Sequence, residues 1–320
     1  MGIAVALPAS GTAIGQAQNA VDLLLDQAAE AAQAGIDGVW FAQQFSVDAI
    51  TVAALAGRAV PGIEVGTSVV PIYPRHPLVM AQQAQTAQAA AGGRFTLGVG
   101  LGAQRFVEEV FGTPVDRPIR HLRDYLTVLR SVFQTGTAAL HGPTLTADLT
   151  AAPLSTQVPG AQPPVPIIVA AMGPQALRAT GELADGTLPL LVGPDALAEQ
   201  ITVPITAAAA AAGRPAPRII AGMHAVVTAD PAAVRETAQR LMSFYATVPS
   251  YRRVLDLQGI EDPVQLAAIG DEESIAATID RYFEAGATDV LISQTGMHSD
   301  EERRLTWRLA GDLARDRARR

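Results

Sequence analysis

Neither lysine nor cysteine occurs in this sequence, and that bounds its chemistry before any motif is found. All 23 basic residues are arginine. Without an amine on a flexible stem there is no Schiff base and no Walker A loop. Without a thiol there is no disulfide, thiolate nucleophile or cysteine-held metal. Five histidines remain, with no metal-ligand spacing among them. His76 sits in R-H-P at a predicted helix start, His121 shares a helix with Arg117, Arg120 and Arg123 and reads as a solvated face, and His224 lies in an apolar strand as a satisfied core histidine. What is left is polar groups that do not titrate, and backbone exposed by glycine. G-V-W-F-A-Q-Q-F places Gln43 and Gln44 just past one strand. L-G-V-G-L-G puts Gly100, Leu101 and Gly102 past another, where a missing Cβ lets the backbone approach a flat ligand. I-I-V-A-A-M-G-P closes a third with Ala170, Ala171, Met172, Gly173 and Pro174. Proline at a first helical position leaves the amides of that turn free for an anion such as phosphate, and Gly173 admits close approach. A plain turn explains any single glycine equally well, and a helix start that binds nothing is the alternative for the last segment.

The elements that must position these groups alternate along the chain. Strands are predicted at Ile3 to Leu7, Gly38 to Phe41, Ile63 to Val70, Phe95 to Val99, Pro166 to Ala170, Gly186 to Leu190, Ile219 to Val227 and Asp289 to Ile292. Helical patterns follow them, beginning near Asn19, Asp48, Pro77, Asp116, Pro174, Pro194, Pro231 and Ser299. Near-continuous apolar strands, each followed by a helix, read as an α/β fold: one (β/α)8 TIM barrel over residues 1–320, with an open doubly wound sheet as the alternative. A barrel holds its site at the carboxyl ends of the strands, where the residues above fall. A further helix over Ser274 to Ala285 makes 246–270 an insertion after the seventh helix, and Gly136 to Pro166 is an insertion after the fourth. Both are expected to act as lids, because long loops in a compact domain are usually functional or disordered. Tyr245, Tyr251, Arg252 and Arg253 are pocket candidates at the later insertion, with surface packing as the plainer alternative.

Composition agrees with such a barrel. Hydrophobic residues make up 49% and charged ones 17%, while aromatic residues are only 5%, so the interior must be built mainly from Ala, Val, Leu and Ile. A formal net charge of −8 and no basic patch interleaved with aromatics argue against a nucleic-acid partner. No window reads as a membrane span, and M-G-I-A-V-A-L-P lacks the positive flank and length of a signal peptide, so the cytoplasm is the default expectation.

Three motifs in register carry a family resemblance: G-T-S-V ending at Val69, R-H-P at Arg75 to Pro77, and G-G-R-F-T-L-G-V-G over Gly92 to Gly100. The chain resembles the luciferase-like superfamily of flavin and deazaflavin enzymes. That resemblance implies a cis peptide between Ser68 and Val69, forming a bulge that backs a tricyclic ring. It implies that the A-A-M-G-P element holds the cofactor's ribityl chain and phosphate. It further implies a homodimer that moves hydride between coenzyme F420 and a small or lipid-like organic molecule. Two rivals stand beside it: a monooxygenase using reduced FMN and dioxygen, and a non-catalytic flavin- or deazaflavin-binding protein. Many relatives carry Asp-His where this chain has Gln43 and Gln44, and some carry a glutamate at Ala103. Glutamine cannot exchange a proton near neutral pH, so both are expected to hold substrate rather than titrate.

Overall fold

In a computed structural model, which describes residues 2–8, 12–150, 156–294 and 296–319, the short apolar runs form parallel strands and the stretches between them form helices. The barrel strands are β1 (Gly2–Leu7), β2 (Gly38–Phe41), β3 (Glu64–Thr67), β4 (Phe95–Gly100), β5 (Ile167–Val169), β6 (Gly186–Thr187), β7 (Arg218–Val227) and β8 (Asp289–Ser293). Each pairs in parallel with the next, and β8 returns to β1 in a register running from Gly2 with Asp289 to Ala6 with Ser293. That closure makes the fold a (β/α)8 barrel and excludes the open sheet.

Helices start where short polar side chains can take up the free amides of the first turn. Asn19, Asp48, Asp230, Asp271 and Ser299 all accept backbone N–H groups, and Ser299 forms a reciprocal capping box with Glu302. His76 is also a cap: its Nδ1 accepts from the Leu78 amide while Nε2 donates to the Thr146 carbonyl. No helix among the described residues is long and apolar enough to cross a membrane.

Inside the barrel, Trp40, Ile168, Leu188, Ile220 and Leu291 pack together with Ala4. Gly66 makes room for the indole, since a Cβ there would lie 2.7 Å from the Trp40 ring. At the amino ends of β3, β7 and β8, Arg218 donates to Glu64 at 2.6 Å and to Asp289 at 2.8 Å, with its guanidinium 5.9 Å from the Trp40 ring centroid. The ion cluster plugs that end. A ligand therefore has the carboxyl end.

Several elements differ from the sequence reading. The strand predicted over Ile63 to Val70 breaks after Thr67, and pairing resumes at Val70–Pro71 against Val99 and Gly100. Residues 136–166 contain a hairpin, Ala139–His141 with Thr146–Asp148, although 151–155 lie outside the described residues. Within 246–270 are the helix Pro249–Leu257 and the strand Ala267–Gly270, which pairs with the carboxyl half of β7. A helix at Gln104–Phe111 was also missed. The strand pieces are too short for periodicity to register, and partners distant in sequence hold Val70–Pro71 and Ala267–Gly270.

Replacing Arg218 by Ala would leave Glu64 and Asp289 facing each other beneath Trp40. The expected loss is about 3 kcal/mol, read as a lower urea midpoint; an unchanged midpoint would show that water already satisfies these carboxylates.

Candidate active site

Thr67 is the last residue of β3, and its hydroxyl fastens that strand to β4. It donates to the Gly98 carbonyl at 2.8 Å and accepts from the Gly98 amide at 2.9 Å. The backbones meet so closely that a Cβ on residue 98 would lie 1.8 Å from the Thr67 carbonyl oxygen. Only glycine fits. Beyond this stitch the Ser68–Val69 peptide is cis, and Val69 faces the barrel mouth. Gly100 keeps the neighbouring surface flat, because a Cβ there would come within 2.9 Å of Val69 Cγ2 and 3.5 Å of Ala170 Cβ.

Across the mouth, the Ala170 amide donates to the Val99 carbonyl at 2.9 Å, and the buried Thr187 hydroxyl reaches the carbonyls of Val169 and Ala171. Helix Pro174–Leu183 then starts on Gly173 without a side-chain cap. Its first-turn amides stay open to an anion, and a Cβ on Gly173 would meet no atom within 4 Å.

Between these walls lies a cavity of about 740 Å³. The three backbone segments singled out in the sequence converge on it, with Val69, Gly100, Leu101, Gly102, Ala170, Met172, Gly173 and Pro174 in its lining. Ser68 and Ala171 belong to the same segments but stand behind that lining. The glutamines separate. Gln44 lines the cavity, whereas the Gln43 amide is already engaged, donating to the Gln44 carbonyl at 2.8 Å and accepting from the Ala49 amide at 3.0 Å and from Arg75 at 3.4 Å. Gln43 braces its own loop, which corrects the expectation that both glutamines face a substrate.

Helix Pro249–Leu257 contributes Tyr251 and Arg253 to the wall, so the later insertion forms part of the cavity's boundary. Arg252 turns away to Asp256 at 2.8 Å. The earlier insertion contributes none of its described residues to the lining. It is fastened to the barrel's flank instead: Gln85 and Gln88 donate to the carbonyls of Thr156 and Pro163 at 2.8 Å each. Sequence reasoning missed Phe106, Leu241, Phe244 and Met297, all in the lining. The first could have been found, because Q-R-F-V-E-E-V-F carries apolar residues at helical spacing right after a barrel strand.

Two histidines also depart from expectation. His121 is not on a solvated face; its ring stacks on Tyr73 with centroids 4.5 Å apart, its Nε2 is buried without a partner, and burial lowers its pKa. His224 is buried but unsatisfied. Its Nδ1 lies 3.2 Å from the Ser293 carbonyl, which can only accept, so Nδ1 carries the proton and Nε2 is left as an acceptor with no partner. Burial pushes the imidazole pKa down to about 4 against the opposing pull of that bond, so the ring is neutral at pH 7.

The sequence matches the family model for luciferase-like monooxygenase over residues 1–289. The chain belongs to this family. An F420-dependent glucose-6-phosphate dehydrogenase of Kineococcus radiotolerans is 26% identical over 313 residues, covering 88% of this chain and 89% of that one. Among solved structures, the monooxygenase RslO1 from Streptomyces bottropensis superposes with a TM-score of 0.79 at 18% identity, over 99% of this chain and 100% of that one. An F420-dependent secondary alcohol dehydrogenase, solved with an F420-acetone adduct, superposes with a TM-score of 0.77 at 20% identity, over 98% of this chain and 97% of that one. Likeness at these identities establishes the shared barrel. At this mouth Gly100 leaves no Cβ against Val69 and Ala170, and the helix that starts at Gly173 has no side-chain cap.

The neutral state of His224 sets a sign for pH dependence. Its folded pKa lies below the unfolded value near 6.5, so its contribution is complete above pH 6.5 and is lost as pH falls toward 4. Between pH 7 and pH 4.5 the wild type should lose stability of the order of 2 kcal/mol through this group. In His224→Gln the urea midpoint should fall less over that range; an equal fall would assign the acid sensitivity elsewhere.

Proposed function

We propose that this luciferase-like protein is a coenzyme F420-dependent oxidoreductase that passes hydride between the deazaflavin and a small or lipid-like organic substrate. One observation carries the reading. The surface formed by Val69 and Gly100 and the uncapped helix start at Gly173 open onto a single cavity. The full-length likeness to an F420-dependent dehydrogenase supports the deazaflavin.

The residues divide the work by position. Ser68, Val69, Gly100, Leu101 and Gly102 would back the ring. Ala170, Ala171, Met172 and Gly173 would hold the ribityl chain, with the phosphate at the helix start beside Pro174. When bound, the deazaflavin supplies the hydride-carrying carbon. Gln44 would hydrogen-bond a polar group of the substrate without giving or taking a proton, so that proton comes from water or from the substrate itself. Met172, Phe106 and Met297 keep the cavity apolar, which limits the water that could compete for the reacting groups.

Separate titrations of the apo protein with F420 and FMN test the assignment. The expected result is saturable fluorescence change at micromolar F420 and none with FMN. The opposite selectivity would make the protein a reduced-flavin monooxygenase, and no response to either would overturn the reading. Turnover of reduced F420 with enones, imines and ketones separates an enzyme from a non-catalytic binder, for which tight binding without turnover is the signature.

Replacing Gln44 by His should leave F420 affinity within about twofold while giving kcat a pH dependence centred near the ordinary imidazole value of about 6.5. A tenfold loss of affinity would place Gln44 against the cofactor rather than the substrate.

A further inference from the structure

The eight phenylalanines divide into two sets. Phe41, Phe95, Phe133 and Phe283 are buried, whereas Phe45, Phe106, Phe111 and Phe244 are 67%, 40%, 44% and 48% exposed. The exposed set is a single cluster. Phe45 touches Phe106 and Phe111 with ring centroids 6.3 Å and 6.0 Å apart, and Phe106 meets Phe244 at 6.2 Å. These rings come from three separate places: the loop after β2, the helix after β4 and the helix after β7. Such an arrangement is not the chance exposure of one apolar residue, and contiguous apolar surface of this kind marks a place where something binds.

The cluster continues inward. Phe244 contacts Tyr245 at 6.1 Å, and Tyr245 meets Tyr251 edge-on at 5.0 Å. Phe106, Phe244, Tyr245 and Tyr251 all line the cavity, so a path of aromatic rings runs from the outer surface to the interior of the site. Among the described lining residues the single charged group is Arg253, with no acidic side chain beside it. Apart from the open helix start at Gly173, an anionic substrate would find little there to neutralise it.

We infer that the substrate carries a flat aromatic ring system that lies along this path, with its reacting group at the inner end. The inference rests on the oxidoreductase reading above and adds the chemical class of the substrate. Aromatic partners prefer edge-to-face and offset contacts worth about 0.5–1.5 kcal/mol beyond area burial, so a planar ring system gains here what a saturated one of the same size does not. Plain hydrophobic transfer gives the opposite order, because saturated rings are the more hydrophobic.

Binding of 2-acetylnaphthalene and of its fully saturated decalin counterpart, measured by calorimetry on F420-loaded and on apo protein, tests the inference. The aromatic ketone should bind about tenfold more tightly, as two additional ring contacts would give. In a Phe106→Leu, Phe244→Leu double variant, which keeps apolar bulk and removes the rings, that ratio should fall below about threefold, with a near-native urea midpoint showing that the barrel is intact. A wild-type ratio near one, or a ratio untouched by the double variant, would overturn the inference. Failure of F420 to bind would instead sink the oxidoreductase reading, and the comparison on apo protein would still report on the ring path. Light scattering covers the rival occupant: a wild-type dimer that Phe45→Ser converts to a monomer would show the cluster to be an interface between copies, which also overturns the substrate assignment.

Discussion

No side chain fits between Thr67 and Gly98, and the architecture of the mouth follows from that contact. The hydroxyl of one residue satisfies both the amide and the carbonyl of the other, so β3 and β4 are held at a separation no Cβ allows. Once they are fixed, Val69 faces the mouth and Gly100 lies flat against it. The G-G-R-F motif supports the same junction from below. Arg94 donates to the carbonyls of Gly57, Val60 and Ile63, tying the end of one helix to the start of β3. Gly93 admits the Gln162 carbonyl where a Cβ would lie 2.6 Å away. A motif that carries the family resemblance in the sequence thus places backbone at this junction.

Charge is arranged along the barrel axis. At the amino end Arg218 is locked between two carboxylates, while at the carboxyl end the cavity wall carries a single arginine and His224 is held neutral by burial. A site with no histidine, aspartate or glutamate among its described lining residues leaves redox chemistry to a bound ring system, with the protein supplying shape, backbone dipoles and exclusion of water. The uncapped start of helix Pro174–Leu183 is a fixed dipole aimed at this space, which suits an anionic tail better than a catalytic acid.

Much of this was legible before the coordinates. Eight strand–helix alternations carry the barrel, because a parallel strand buried on both faces must be apolar nearly throughout and a helix must begin on a cap or a proline. Segments that bring backbone to the cavity were legible too, since glycine and proline announce special geometry wherever they stand. Side-chain direction was not. Gln43 and Gln44 are adjacent and chemically identical, yet one braces a loop and the other meets the cavity, a difference set by the Ala49 amide and Arg75. His121 and His224 depart from expectation for the same reason, because stacking on Tyr73 and a missing partner at Nε2 are properties of the folded environment.

The sequence by itself determined the class of fold, the end of the barrel that could bind a ligand and the exclusion of amine and thiol chemistry. Local patterning and composition suffice for these. Tertiary structure alone decided that four phenylalanines from one loop and two helices would form one exposed cluster, that the hairpin segment would be fastened to the barrel's flank, and that Gln44 would face the cavity without Gln43. Each depends on which residues distant in the chain arrive at the same place, and local periodicity holds no record of that.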